Sequence, residues 1–194
     1  MNEPWIIVGY FTKDTLYERR AKTLATTLNL NKVLYYLEPT DNLGTWLKNT
    51  GYKPTFLKRM LIEFKGLNII YVDVDARFLH YPKLFDELDC DVAVHEFDRT
   101  IWPRVRSGKE VLSGTIFLRN NKTVFDLVER WETQCKNNPS TWDQKSLEKV
   151  LAGNFYHLPG EYCKIFGLVD GIKDPTIVHY QASRGVRKNR GRLT

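Results

Sequence analysis

Apolar and polar positions follow two rhythms in the opening stretch of the chain. Trp5-Ile-Ile-Val-Gly-Tyr-Phe-Thr12 is a nearly continuous apolar run, the pattern of a strand buried on both faces. Thr15 and Glu18 form a capping-box pair. Tyr17, Ala21, Leu24, Ala25 and Leu28 then recur at helical spacing, and Asn29 or Asn31 ends the helix. Lys32-Val-Leu-Tyr-Tyr-Leu37 predicts a second strand, closed by Pro39. A strand, a helix and a strand within about thirty residues make a βαβ unit, which requires parallel strands.

Asp41 to Lys53 holds Gly44 and Gly51 and reads as a loop with a short helical turn. Pro54 suits the first turn of the next helix, whose apolar face is Phe56, Leu57, Met60, Leu61 and Phe64 and which stops at Gly66. Asn68-Ile-Ile-Tyr-Val-Asp-Val-Asp75 follows as a strand ending in two carboxylates. Beyond it the pattern predicts a short helix after Tyr81-Pro82, a strand at Asp91–His95 and an irregular segment from Asp98 to Glu110. Val111–Leu118 is a strand interrupted by Ser113-Gly114, and a glycine there marks a bulge or the close approach of a ligand. Asn121 caps one helix, Asp143 to Leu151 forms another, and short strands lie around Phe155–Leu158 and Thr176–Tyr180. These elements predict an α/β domain over residues 1–194. Its central sheet is mostly parallel, with helices on both faces and an antiparallel C-terminal part.

Composition narrows the class. The chain has 194 residues, 42% hydrophobic and 13% aromatic, which excludes a disordered polymer. No apolar run approaches the ~18 residues that cross a bilayer. The N-terminus shows no basic segment leading into a signal core, so no membrane insertion and a cytoplasmic location are expected. Cys90, Cys135 and Cys163 form no metal or redox spacing and read as reduced core residues. Net charge is +6, part of it local: residues 184–194 carry Arg184, Arg187, Lys188, Arg190 and Arg192 and no acid. Such a basic tail suits an anionic partner, or is simply a solvated terminus.

The candidate chemistry starts at Asp73 and Asp75. Residues i and i+2 of a strand share a face, so the two carboxylates can meet at the strand's C-terminal end. Carboxylates so placed repel one another unless a cation lies between them. Mg²⁺ and Mn²⁺ take oxygen ligands, commonly one or two carboxylates plus substrate phosphates. The competing reading has Asp73 closing a turn and Asp75 solvated.

Six segments occur in an order that resembles the nucleotide-diphospho-sugar transferases of the glycosyltransferase-A fold. They are Val8-Gly-Tyr-Phe-Thr12, Lys53-Pro-Thr-Phe-Leu-Lys58, Ile70-Tyr-Val-Asp-Val-Asp75, Ser113-Gly-Thr-Ile116, Trp142-Asp-Gln144 and Thr176-Ile-Val-His179. The resemblance implies a nucleoside-diphosphate sugar as donor and Mn²⁺ or Mg²⁺ as cofactor. It implies a metal held by Asp73, Asp75 and His179, with Asp73 also facing the nucleotide ribose. Gly9, Tyr10 and Thr12 would line the nucleotide pocket, and Tyr17 would stack on the base or pack in the core. Ser113 and Gly114 would line the donor sugar. Asp143 and Gln144 would lie beside the reacting carbon, which points to retention of configuration. The cations expected at the diphosphate are Lys58, Arg184 and Lys188. Gly185 and Lys188 are shifted relative to the family's terminal motif, which leaves that assignment open.

The acceptor is a hydroxyl, expected near His95, Glu96 and Asp98. The absence of an anchor favours a compact bacterial or viral enzyme, in the host cytoplasm if viral. Arg99, Arg104, Arg106 and Lys109 around Trp102, with the basic tail, suit DNA carrying a hydroxylated base. A saccharide- or protein-directed transferase is the alternative. Two other classes also stand. A nucleotidyltransferase would normally need a glycine-rich phosphate loop where Gly9-Tyr-Phe-Thr-Lys-Asp14 stands. A non-enzymatic nucleic-acid-binding module would leave the paired carboxylates without a purpose.

Overall fold

The computed structural model describes residues 4–99, 108–168 and 171–181. Its strands are β1 (Trp5–Thr12), β2 (Tyr35–Thr40), β3 (Asn68–Val72), β4 (Ala76–Phe78), β5 (Val92–Asp98), β6 (Lys109–Leu118), β7 (Tyr156–His157), β8 (Lys164–Ile165) and β9 (Ile177–His179). Its helices are α1 (Leu16–Leu30), α2 (Trp46–Gly51), α3 (Lys53–Glu63), α4 (Lys122–Asn137) and α5 (Asp143–Leu151). Six strands form the main sheet in the order β2-β1-β3-β6-β5-β7, and β4-β9-β8 form a smaller one. β2, β3 and β7 each run parallel to their neighbour in β1 or β5, while β6 is antiparallel to both β3 and β5. The sheet is therefore mostly parallel, as expected, but its one reversed strand lies inside the sheet and not at the edge.

The inner strands are largely buried on both faces, while the edge strands β2 and β7 are not. Ile6, Val8, Ile69, Tyr71, Ile116 and Leu118 pack under α3, α4 and α5. Ile7, Ile70, Val72, Ala93 and Phe117 face α1 and the smaller sheet. This two-sided burial is why β1 and β3 read as unbroken apolar runs. Local chemistry sets the helix ends. The Thr15 hydroxyl accepts from Tyr17 N, the Asn121 side chain accepts from Val124 N, and Pro54 lies in the first turn of α3.

Three departures from the expected pattern matter for the site. β2 continues through Pro39 to Thr40, which an edge strand permits because its outer N–H groups need no partner. β5 and β6 pair as far as Asp98 and Lys109, so both ends of the segment expected to be irregular belong to strands, while residues 100–107 lie outside the described residues. β3 ends at Val72, and the chain turns through Asp73–Asp75, with Ala76 N donating to Asp73 O at 3.0 Å. The two aspartates are thus brought together by a turn rather than by one strand face.

Candidate active site

The C-terminal ends of β1 and β3 open on a cleft of about 550 Å³. β1 connects to β2 on one side and pairs with β3 on the other, so this is the point where an α/β sheet leaves a crevice for ligands. Tyr10, Phe11 and Thr12 line it together with Tyr17, Trp46, Asn49 and Thr50. Asp73, Val74, Asp75, His179 and Gln181 line it as well, as do Phe97, Arg99, Glu110, Trp142, Asp143 and Gln144.

The expected bulge lies at its centre. Pairing between β5 and β6 jumps from Val94↔Ile116 to His95↔Leu112, so Ser113, Gly114 and Thr115 have no partner in β5. The bulge turns these three residues into the cleft. A Cβ on Gly114 would lie 3.2 Å from His179 Cε1 and 3.3 Å from Asp73 Oδ2. The missing side chain therefore keeps open the space between those two groups.

Asp75 Oδ1 lies 3.5 Å from His179 Nδ1, and His179 Nε2 is hydrogen-bonded to Thr115 Oγ1 at 2.8 Å. Tyr71, one strand repeat before Asp73, donates its hydroxyl to Asp73 Oδ1 at 2.8 Å. Burial pushes the Asp73 carboxyl up, opposed by Lys53 and reinforced by Asp75. Among the described residues, no group of three His, Cys, Asp or Glu is arranged to hold a metal ion. Asp73 Oδ1 is held by Tyr71 and Lys53, while Oδ2 faces the Gly114 space beside His179, and Asp75 lies next to His179 on its Nδ1 side. Two carboxylates and an imidazole are donor types that fit Mn²⁺ or Mg²⁺, with substrate oxygens left to complete the shell.

Next to Asp73 lies a lysine from the Lys53–Lys58 segment for which the sequence suggests no role. Lys53 is 3% exposed. Its Nζ donates to Ser113 O at 2.9 Å and Ser113 Oγ at 3.1 Å, and pairs with Asp143 Oδ2 at 2.9 Å and Asp73 Oδ1 at 3.3 Å. Burial alone would lower this amine, but Asp143 and Asp73 outweigh it and raise it, so it stays charged. Asp143 also accepts from Ser113 Oγ at 2.8 Å, and its backbone oxygen accepts from Trp131 Nε1 at 2.9 Å. Gln144 accepts from Ser113 N at 3.3 Å and donates to Glu110 Oε1 at 2.8 Å.

Lys58, the expected cation, lies elsewhere. Its Nζ is bound to Glu132 on α4, outside the cleft lining. Five residues along a helix rotate a side chain by about 140° away from Lys53, which is why one faces the cleft and the other faces α4. Gly9 also departs from expectation: a Cβ there would meet Val72 O at 2.8 Å, so the glycine admits the neighbouring strand and not a ligand. Tyr10, Thr12, Tyr17, Ser113, Gly114, Asp143 and Gln144 all line the cleft. Tyr17 also packs against the core beside α1. His95, Glu96 and Asp98 do not line it: His95 Nδ1 donates to Leu158 O, and Glu96 pairs with Lys109. Arg104, Arg106, Trp102, Arg184 and Lys188 lie outside the described residues. Besides Lys53, sequence reasoning assigned no role to Tyr71, Glu110 or Trp46. The only available signals were Lys53 preceding a helix-starting proline and Tyr71 standing at i−2 from Asp73.

The model of the nucleotide-diphospho-sugar transferase family matches residues 14–187. Among solved structures, a glycosyltransferase involved in glycosylation of the major capsid of PBCV-1 superposes with a TM-score of 0.71 at 16% identity, covering 96% of this chain and 98% of that one. The apo-form glycosyltransferase GlyE of Streptococcus pneumoniae TIGR4 gives 0.65 at 16% identity, covering 92% of this chain and 55% of its own. The galactosyltransferase LgtC, in complex with donor and acceptor sugar analogues, gives 0.58 at 10% identity, covering 91% and 87%. At these identities the likeness is one of fold. No curated protein matches in sequence.

Proposed function

The chain belongs to the nucleotide-diphospho-sugar transferase family and is a glycosyltransferase, and we propose that it uses a divalent cation to move a sugar, with retention, onto a saccharide hydroxyl. The carrying observation is that Asp73 Oδ2 and His179 face the space left by Gly114, with Asp75 3.5 Å from His179 and all of them lining the cleft. These three side chains would hold Mn²⁺ or Mg²⁺ together with the donor's diphosphate. When bound, the cation supplies Lewis-acid neutralisation of the leaving diphosphate.

The chain's own residues do the rest. Tyr10, Phe11, Thr12 and Tyr17 hold the nucleoside, and the Ser113–Thr115 bulge takes the donor sugar. In transfer, the bond from the anomeric carbon to the diphosphate oxygen breaks, and its electron pair leaves with the diphosphate. The acceptor oxygen bonds the carbon, and its proton passes to the departing phosphate. Gln144 faces the positive charge that develops at the carbon. Lys53 holds Asp73, Ser113 and Asp143 in place around it.

Retention is supported by the state of the cleft's carboxylates. Asp73 is engaged by Lys53 and Tyr71, Asp75 by His179, Asp143 by Lys53 and Ser113, and Glu110 by Gln144 and Arg99. Among the described residues this leaves no cleft carboxylate poised as the base that inversion needs. A saccharide acceptor is supported by exposed Trp142, which offers an apolar face to a cleft that polar Gln144, Glu110 and Arg99 also line. For DNA, two of the four loop cations counted on from sequence are already paired, Arg99 with Glu110 and Lys109 with Glu96.

The test is a panel of UDP-glucose, UDP-galactose and GDP-mannose with Mn²⁺, measuring nucleoside diphosphate release with oligosaccharide or hydroxymethylated-DNA acceptors. We expect release that stops with a chelator and rises with an oligosaccharide, and a product whose anomeric configuration matches the donor. Chelator-independent release, an inverted product or a response to DNA alone would each contradict one part of the reading.

A further inference from the structure

Gln144 presents a side-chain amide whose two ends are nearly alike in shape and opposite in hydrogen bonding. Which end faces the donor sugar depends wholly on neighbours. We propose that Glu110 is the positioning residue that fixes this amide, turning Nε2 away from the reacting centre and Oε1 towards it. The inference rests on the reading above, in which Gln144 stands beside the anomeric carbon.

Three observations carry it. Gln144 Nε2 donates to Glu110 Oε1 at 2.8 Å, while Gln144 Oε1 accepts from Ser113 N at 3.3 Å. A flipped amide would set its NH₂ against the Ser113 N–H and its oxygen against a carboxylate, two mismatched contacts at once. Glu110 is itself held: its side chain is 13% exposed, Arg99 Nε lies 3.4 Å from Oε2, and Lys145 Nζ lies 3.6 Å from Oε1. Lys145 is anchored in turn by Glu148 at 2.7 Å. Finally, Glu110 lies in β6 opposite Phe97, three residues before the bulge that carries Ser113. One strand therefore supplies both partners of the amide.

The same contacts argue against Glu110 as the base. Oε1 accepts from Gln144, and the cations of Arg99 and Lys145 lie 3.4 and 3.6 Å from the carboxylate, which disfavours its picking up a proton and leaves it to orient the amide. Its role is performed by an acceptor oxygen, and a neutral amide oxygen can replace it.

That distinction sets the experiment. E110A, E110Q and Q144A are compared for nucleoside diphosphate release from UDP-glucose, UDP-galactose and GDP-mannose with Mn²⁺, and by NMR of the Gln144 side-chain NH₂, assigned through its loss in Q144A. We expect E110A to lower kcat by about 10–100-fold with donor KM moved less than about threefold, the usual effect of removing an orienting partner. We expect E110Q to recover most of that loss. The Gln144 NH₂ signal should shift in E110A and return towards its original position in E110Q. E110Q as impaired as E110A would show that the charge matters and overturn the proposal. So would an NH₂ signal that E110A leaves unmoved, a readout that needs no substrate. Q144A with full activity would instead remove the parent reading, a result distinct from an impaired Q144A beside an unaffected E110A, which defeats the positioning role alone.

Discussion

An ammonium group that is 3% exposed has to be surrounded by charge or give up its proton. Lys53 is surrounded: it separates Asp73 from Asp143 and binds both oxygens of Ser113. Removing one member of a buried ion network leaves the others uncompensated, at a cost of about 3–5 kcal/mol. K53M should therefore lower the unfolding free energy measured by urea titration by that much, whereas K58M, on the part-exposed side of α3 that faces α4, should cost less than half as much. Equal losses would show that the buried network has no special weight. Asp73, Asp75 and His179 were legible from sequence because they are ligand-type residues inside ordered motifs. Lys53 was not, because a lysine starting a helix looks like any solvated charge. Its burial is created by a bulge on a strand some sixty positions away in sequence.

Helices α3 and α4 are joined across their partly buried faces by Glu132. It accepts from Thr55 Oγ1 at 2.8 Å and Lys136 Nζ at 2.8 Å, and binds Lys58 as well. Burial would raise this carboxyl, but the hydrogen bonds from Lys136, Lys58 and Thr55 outweigh it and bring it down to about 2. A carboxyl lowered on folding adds stability that is fully present above its unfolded value, near 4.5, and that fades as the pH falls towards 2. E132Q should cost about 2 kcal/mol at neutral pH, the scale of a charge-assisted hydrogen bond, and the gap to wild type should close below pH 4. A gap unchanged between pH 7 and pH 3 would contradict this. The element pattern itself was well marked in sequence wherever a cap, a proline or a helical repeat announced it. Three features were hidden: the turn at Asp73–Asp75, the three-residue strand β4 and the inward place of β6. Each depends on which distant strand pairs with which, and local periodicity does not record that.

The whole molecule is a mostly parallel sheet whose one reversed strand, β6, carries a bulge into the crevice at the sheet's switch point. The α/β class was readable because both faces of β1 and β3 are covered and their sequences are apolar throughout. The meeting of Phe97, Glu110 and Trp142 in the cleft lining was not, since they come from three elements brought together only by folding. The central claim is that this cleft holds a nucleoside diphosphate through a cation gripped by Asp73, Asp75 and His179. Calorimetric titration of UDP and GDP, with Mn²⁺ and with chelator, tests it on wild type and D75N. Wild type should bind one of them at least ~10-fold more tightly with Mn²⁺, and D75N should lose that gain while keeping its fold. Binding that ignores Mn²⁺, or a gain that survives in D75N, would contradict the account.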